Sequence, residues 1–303
     1  MESGVIAINK PQAISSAKAL AFVKKKIEAK KAGHTGTLDP FATGLLLCTI
    51  NQGTKISRFF LSGKKRYLAR IHLGIQTNTY DPTGKVTYIA KKNSVFALDK
   101  ENITKKVNSF HGIQNQVPPS FSALKYKGQP LYKLARKKKE ILKPARQIEI
   151  FDIKLLNIDL PFLDIDILCS QGTYIRSIAF DLGINLKCGA HLAKLCRTKV
   201  GSFKLEDAIS LEDFEKLDSK DAKKRIVSLS DSLGFMQKLI ADKNTVQKIK
   251  FGQTLTLNEF ETKQFDQSLS HCFKIVDEKN KVLSIVQLDK NAKKFNYCCV
   301  FNA

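Results

Sequence analysis

The stretch AGHTGTLDPFATGLLLCTI, Ala32–Ile50, packs three glycines, three threonines, a histidine and one carboxylate ahead of an apolar run. Two readings fit it. Asp-Pro initiates turns and glycine supplies unusual backbone angles, so Asp39-Pro40 suits a plain turn at the lip of a strand. The same composition suits a lone catalytic carboxylate on a rigid loop, because functional residues concentrate on loops that a scaffold positions. The segments on either side bear on the choice.

Upstream, GVIAINKP reads as a strand closed by Lys10-Pro11. Ser15 and Ser16 can cap a helix through AKALAFVKKKIEAKKAG, in which Leu20, Val23 and Ile27 keep helical spacing and Gly33 is the expected stop. Its other face carries Lys24, Lys25, Lys26, Lys30 and Lys31 and leads into the glycine-rich loop. Downstream, GLLLCTI and KRYLARIHLG read as strands; in the second, Tyr67, Ala69 and Ile71 share one face and Arg70 and His72 the other. QTNTYDPTGKVTYIA is a turn and a return strand. A helix from about Lys100 to Phe110 precedes a Pro-containing segment with a basic helix, QNQVPPSFSALKYKGQPLYKLARKKKEILKPAR. IDLPFLDIDILCSQGTYIRSIAFDLGINL is an alternating strand, a Gly-Thr turn and a helix. After SLSDSL the pattern changes to short strands and turns, which places a domain boundary near residue 235. The domains are then 1–235 and 236–303.

With 303 residues the chain has ample length for a real core. Its 51 Lys+Arg against 28 Asp+Glu leave +23, of which +19 falls on residues 1–235 and +4 on 236–303. An excess of this size points to a polyanionic partner, nucleic acid or an anionic membrane. No apolar run is long enough to span a bilayer, which leaves the membrane option without an anchor and favours nucleic acid. The seven cysteines form no CxxC pair, and Cys188, His191 and Cys196 fit no zinc spacing. They read as reduced thiols of a cytoplasmic protein, with Cys48 buried in its strand. Neither G-x-x-x-x-G-K-[ST] nor G-x-G-x-x-G is present, nor a metalloprotease, zinc-deaminase or Ser-His-Asp signature. For an enzyme, what remains is a reaction without cofactor or metal, run by one carboxylate.

Five co-linear blocks, GVIAINKPQAISS, AGHTGTLDPFATGLL, KRYLARIHLGIQTNTYD, VPPSFSALKYKGQPLYKLAR and CSQGTYIRSIAFDLG followed by CGAHLAKLCRT, resemble the TruB-type tRNA pseudouridine synthases in order and spacing. The resemblance spans about residues 4–210. It implies an α+β (mixed α/β) pseudouridine synthase fold with a long, mainly antiparallel sheet, and a small β-rich C-terminal domain of PUA-like type. The departures are Leu47 at a common proline, Asn78 at a frequent aspartate, and Cys196 at the usual arginine before Arg197. The implied activity is isomerisation of uridine to pseudouridine in tRNA, at uridine-55 of the T-loop, by a monomer that needs no protein partner. An additional tRNA-folding chaperone role, and an RNA-guided synthase of the archaeal and eukaryotic kind, stand as rival readings.

The resemblance makes Asp39 the catalytic aspartate and resolves the opening ambiguity toward chemistry. Arg176 is implied to align that carboxylate through paired hydrogen bonds, and Tyr67 to pack on the flipped uracil with its hydroxyl near C5. Tyr174 falls near Arg176. His34 resembles the histidine that fills the space a flipped base leaves. Lys10, Lys55 and Asp81 match further positions near the site or its scaffold. The basic run Arg136, Lys137, Lys138 and Lys139 lies in the segment that corresponds to the family's RNA clamp; four such residues also complement a helix dipole.

Overall fold

The computed structural model describes residues 2–122, 124–137, 141, 143–260, 272–289 and 291–301. Seven strands build the large sheet: β1 (Gly4–Lys10), β2 (Thr43–Ile50), β3 (Lys65–Leu73), β4 (Gly112–Gln116), β5 (Arg146–Asp159), β6 (Phe162–Cys169) and β7 (Ala190–Val200). They lie in the order β1-β2-β7-β3-β6-β5-β4, with the short strand Ile209–Ser210 beyond β1. Every pair along β1–β4 is antiparallel except β2 with β7, and Ile209–Ser210 joins β1 in parallel. The sheet is therefore mainly antiparallel, with one parallel seam at its centre.

That seam matters for function, because β2 follows the Asp39 loop directly and β7 brings Arg197 opposite both Gly44 and Tyr67. Gly44 has φ +101°, and a Cβ there would lie 2.4 Å from the Arg197 carbonyl oxygen, so only glycine lets the two strands close.

Strand β3 alternates as its sequence suggests: Tyr67, Ala69 and Ile71 are buried and the intervening side chains are more exposed. Its buried face joins Ile165 and Ile167 of β6 and the helices α2 (Lys100–Asn108) and α3 (Ile175–Asn185), through Ile103, Val107, Ile178 and Leu182. Full burial of each such aliphatic side chain contributes roughly 1.5–3 kcal/mol. On the opposite face Arg66 pairs with Asp152 and Asp166, and Arg70 with Asp164. This is a cross-strand charge ladder of a half-wetted sheet.

The first helix, which we number before these as Ser16–Lys26, is shorter than its periodicity suggests. Glu28 takes φ +57°, and the chain turns to enter a short strand, Ala32–His34, beside β2. Lysines at 24, 25 and 26 already crowd the last helical turn, where they complement the dipole, so nothing drives the helix onward to Gly33. Ser15 accepts from Lys18 N as the cap. Ser16 does something else: it accepts from Leu38 N at 2.8 Å and donates to Leu38 O at 3.0 Å, and so pins the residue next to Asp39.

A second, five-stranded sheet draws on Gln237–Ile240, Cys272–Val276, Val282–Asp289, Lys294–Val300 and Leu255–Thr256, in that spatial order. It shares an apolar cluster with the large sheet, in which Val5, Leu45, Leu47 and Phe60 meet Met236, Val282, Ile285 and Phe301. Among the described residues no helix is long and apolar enough to cross a membrane.

Candidate active site

The loop that opens the sequence argument lies on the floor of a cleft of about 460 Å³. Asp39 is the one carboxylate among the described residues that line it, beside Tyr67, Arg146, Tyr174, Arg176 and Arg197. A larger hollow of about 580 Å³ lies at the join of the two sheets, but the buried charges gather at the smaller one.

Arg176 is the second residue of its helix and only 4% exposed. Its Nε stands 3.0 Å from Asp39 Oδ2. The contact is an ion pair whose N–H is not directed along a hydrogen bond. Paired hydrogen bonds to Asp39 are thus not what the guanidinium makes. Its Nη1 donates to Asp81 Oδ2 at 3.1 Å and to Thr79 O at 3.0 Å, and its Nη2 to Phe121 O at 2.8 Å. The fork is spent on fixing Arg176 itself, and Asp39 meets its side.

Asp81 is the buried second carboxylate, and its Oδ1 accepts from Thr79 Oγ1, Thr83 N and Thr83 Oγ1. It holds Arg176 and lies off the cleft lining. Burial pushes the Asp39 carboxyl above its ordinary range; Arg176 and Lys10 pull it back, while Asp81 adds to the rise. Lys10, fully buried, donates to Pro11 O at 2.8 Å and Ile14 O at 2.9 Å. Desolvation brings its amine down to about 8 against the pull of Asp39.

Tyr67 is buried on β3 and takes a hydrogen bond from Arg197. Desolvation raises its hydroxyl above the usual phenol range, and the Arg197 charge opposes that rise. Tyr174 stands just before α3 in extended conformation, where Gln116 of β4 grips its backbone: Gln116 Nε2 donates to Tyr174 O at 3.0 Å and Tyr174 N donates to Gln116 Oε1 at 2.8 Å. The Arg146 guanidinium lies 4.9 Å from the Tyr174 ring centroid and donates to Gly172 O.

His34 belongs to the strand Ala32–His34 rather than to the loop, and lies outside the cleft lining. Its Nδ1 is buried without a partner, and burial together with Arg197 lowers its pKa.

Lys55 is not brought to the cleft. It lies in the turn Asn51–Ile56 and donates to Val300 O at 2.6 Å, because that turn faces the second sheet. Arg136 closes the helix Leu131–Arg136 and Lys137 is exposed in the turn after it; Lys138 and Lys139 fall outside the described residues.

Sequence reasoning missed Ser16, Gln116, Arg146 and any role for Arg197. Only Arg197 left a signal, as the arginine that follows Cys196 in the CGAHLAKLCRT block.

A family model described as "TruB family pseudouridylate synthase (N terminal domain)" matches residues 24–175, and one described as "tRNA pseudouridylate synthase B C-terminal domain" matches 176–240. The chain belongs to the TruB family and is a pseudouridine synthase. It is 46% identical to a tRNA pseudouridine synthase B of Francisella tularensis subsp. novicida over 215 residues, 71% of this chain and 70% of that one. It is 38% identical to the tRNA pseudouridine synthase B of Clostridium kluyveri over 282 residues, 93% and 94% of the two chains. Among solved structures it resembles one titled "Structure of H/ACA RNP bound to a substrate RNA containing 2'-deoxyuridine", with TM-score 0.72, 21% identity, and 99% of this chain and 85% of that one covered. A Cbf5-Nop10-Gar1 complex gives TM-score 0.70 at 24% identity, covering 94% and 78%. At these identities the likeness is one of fold.

Proposed function

We propose that the protein converts uridine-55 in the T-loop of tRNA to pseudouridine, with Asp39 as nucleophile. It acts as a cytoplasmic monomer. The observation that carries this reading is the arrangement at Asp39, a single carboxylate in the cleft held at 3.0 Å by a buried arginine that is itself fixed from three sides. The reaction breaks N1–C1′, turns the base, and joins C5 to C1′; C5 loses a proton and N1 gains one. A carboxylate serves by attacking C1′ or C6 and leaving later, and both routes need it ionised. Tyr67 in the cleft wall offers a ring for the extruded base to rest on. The +19 on residues 1–235 supplies the phosphate attraction, and residues 236–303 are read as a PUA-like RNA-binding domain.

The test uses the purified protein alone on an unmodified T-arm hairpin, with a divalent-metal chelator present. Pseudouridine is expected from the native chain. Asp39→Asn should bind the RNA within several-fold of the native chain and yield no product at enzyme excess. Substantial product from Asp39→Asn, free of host synthase, would falsify the reading. A chaperone activity that survives in Asp39→Asn would show a second function independent of the carboxylate.

A further inference from the structure

Arg197 differs from every other buried cation on the cleft floor. It is 1% exposed, and among the described residues no carboxylate lies within ion-pair distance of it. A buried charge without a counterion costs several kcal/mol, so holding strands together is a poor reason to keep one there; an apolar side chain of similar volume would do that better. A guanidinium carries five donors and no acceptor, and Arg197 aims its donors at three different elements. Its Nε donates to Leu45 O of β2 at 2.8 Å, its Nη2 donates to Gly36 O in the Asp39 loop at 3.1 Å, and the guanidinium donates to the Tyr67 hydroxyl. The backbone delivers this placement, since Arg197 sits directly opposite Tyr67 on β3 and opposite Gly44 on β2.

The two carbonyls fix the guanidinium, and the guanidinium fixes the hydroxyl. A phenol oxygen that accepts from Arg197 has one lone pair committed, which directs its own O–H away from that side. Arg197 also offsets part of the cost of placing negative charge on the Tyr67 oxygen.

We propose that Arg197 is a positioning residue that acts through Tyr67, holding its hydroxyl in the orientation that the base-handling half of the reaction requires. The inference rests on the cleft forming pseudouridine. It assigns the two catalytic side chains separate buried arginines, Arg176 for Asp39 and Arg197 for Tyr67.

The experiment is a double-mutant cycle on the full chain. Arg197→Gln and Arg197→Lys are each placed in the native and the Tyr67→Phe backgrounds, with single-turnover rate and RNA affinity measured on a T-arm hairpin. In the native background Arg197→Gln should lower the rate on the order of 10–100-fold, the scale of a hydrogen bond from a charged group. Arg197→Lys, which keeps the charge but not the fork, should lose less. In the Tyr67→Phe background either change should cost less than about 3-fold, because the group it acts through is gone. RNA affinity should stay within about 3-fold throughout, which a general loosening of the fold would not allow. Equal losses in the two backgrounds overturn the inference alone. Melting and lost RNA binding in both Arg197 variants also overturn it, and place Arg197 with the fold. A native chain that forms no pseudouridine overturns the functional reading and this inference with it.

Discussion

The cleft floor and the join between the two sheets are built from the same strand by opposite means. Strand β2 lends its Leu45 carbonyl to Arg197 on the floor, while the Leu45 side chain packs at the join with Val5, Leu47 and Phe60 against Met236 and Ile285. The floor gathers Lys10, Asp81, Arg176 and Arg197, all at most 4% exposed, around Asp39. Its geometry is set by directed contacts, each of which has one partner atom and fails if that atom moves. The join is set by volume, and apolar volume tolerates exchange among side chains of similar size. Substitutions on the floor should therefore damage chemistry as well as stability, and substitutions at the join stability alone.

Asp81→Asn should show the largest effect, because it strikes both. It leaves Arg176 with Asp39 as its sole carboxylate and removes an anion that Thr79 and Thr83 were arranged to hold. About 3 kcal/mol of stability should go, the low end for a broken buried ion pair. The single-turnover rate should fall on the order of 100-fold as Arg176 and Asp39 lose alignment.

The pH dependence gives the sharper measurement. Burial and Asp81 both raise the Asp39 pKa in the folded protein. The ionised, active form is lost as pH falls through that raised value, so the acid limb of the native rate profile should lie above the ordinary carboxylate value of ~3.9. Removing Asp81 removes one raising charge, and it leaves Arg176 undivided for Asp39. Both changes move the limb to lower pH. An acid limb that stays put in Asp81→Asn would remove the coupling between the two carboxylates.

Phe60→Ala tests the other region. Phe60 is 2% exposed and meets Phe203 and Phe235 edge to face, with ring centroids at 5.8 and 6.0 Å. Truncation should cost about 3–5 kcal/mol in denaturant unfolding. The rate per folded molecule should stay within about twofold, since nothing on the cleft floor leans on that ring. A loss of rate that outruns the loss of folded protein would show that the join transmits to the cleft and would end the division drawn between them.

What the sequence made legible divides along the same line. Asp39, Tyr67 and Arg176 sit in contiguous blocks whose composition is set by chemistry, and the alternation of β3 follows from its half-buried sheet position. Ser16, Gln116 and Arg197 act across 22, 58 and more than 100 residues of chain on backbone atoms, which any residue could supply. No local pattern marks such an acceptor. The expected fork between Arg176 and Asp39 failed for a related reason: sequence shows that an arginine and an aspartate meet, and not how many other acceptors share the arginine. The helix that stopped at Lys26 was misread because its lysines continue the spacing while Glu28 leaves the helical backbone.

Lys55 supplies the smallest effect and the finest discrimination. It is exposed, and its amine reaches Val300 O at 2.6 Å and lies 5.5 Å from the Phe301 ring centroid, so its contacts are at the join. Solvent competes for such an amine, and a surface substitution of this kind changes stability by less than about 1 kcal/mol. Lys55→Ala should therefore lower the melting temperature by only about 1–3 °C in a chain of this size. It should leave the single-turnover rate within about twofold, because no atom of the cleft depends on it. Placement near the substrate, as the family resemblance suggested for this lysine, demands the reverse: an unchanged melting temperature and a rate reduced tenfold or more. The two measurements on one variant thus decide whether Lys55 belongs to the floor or to the join.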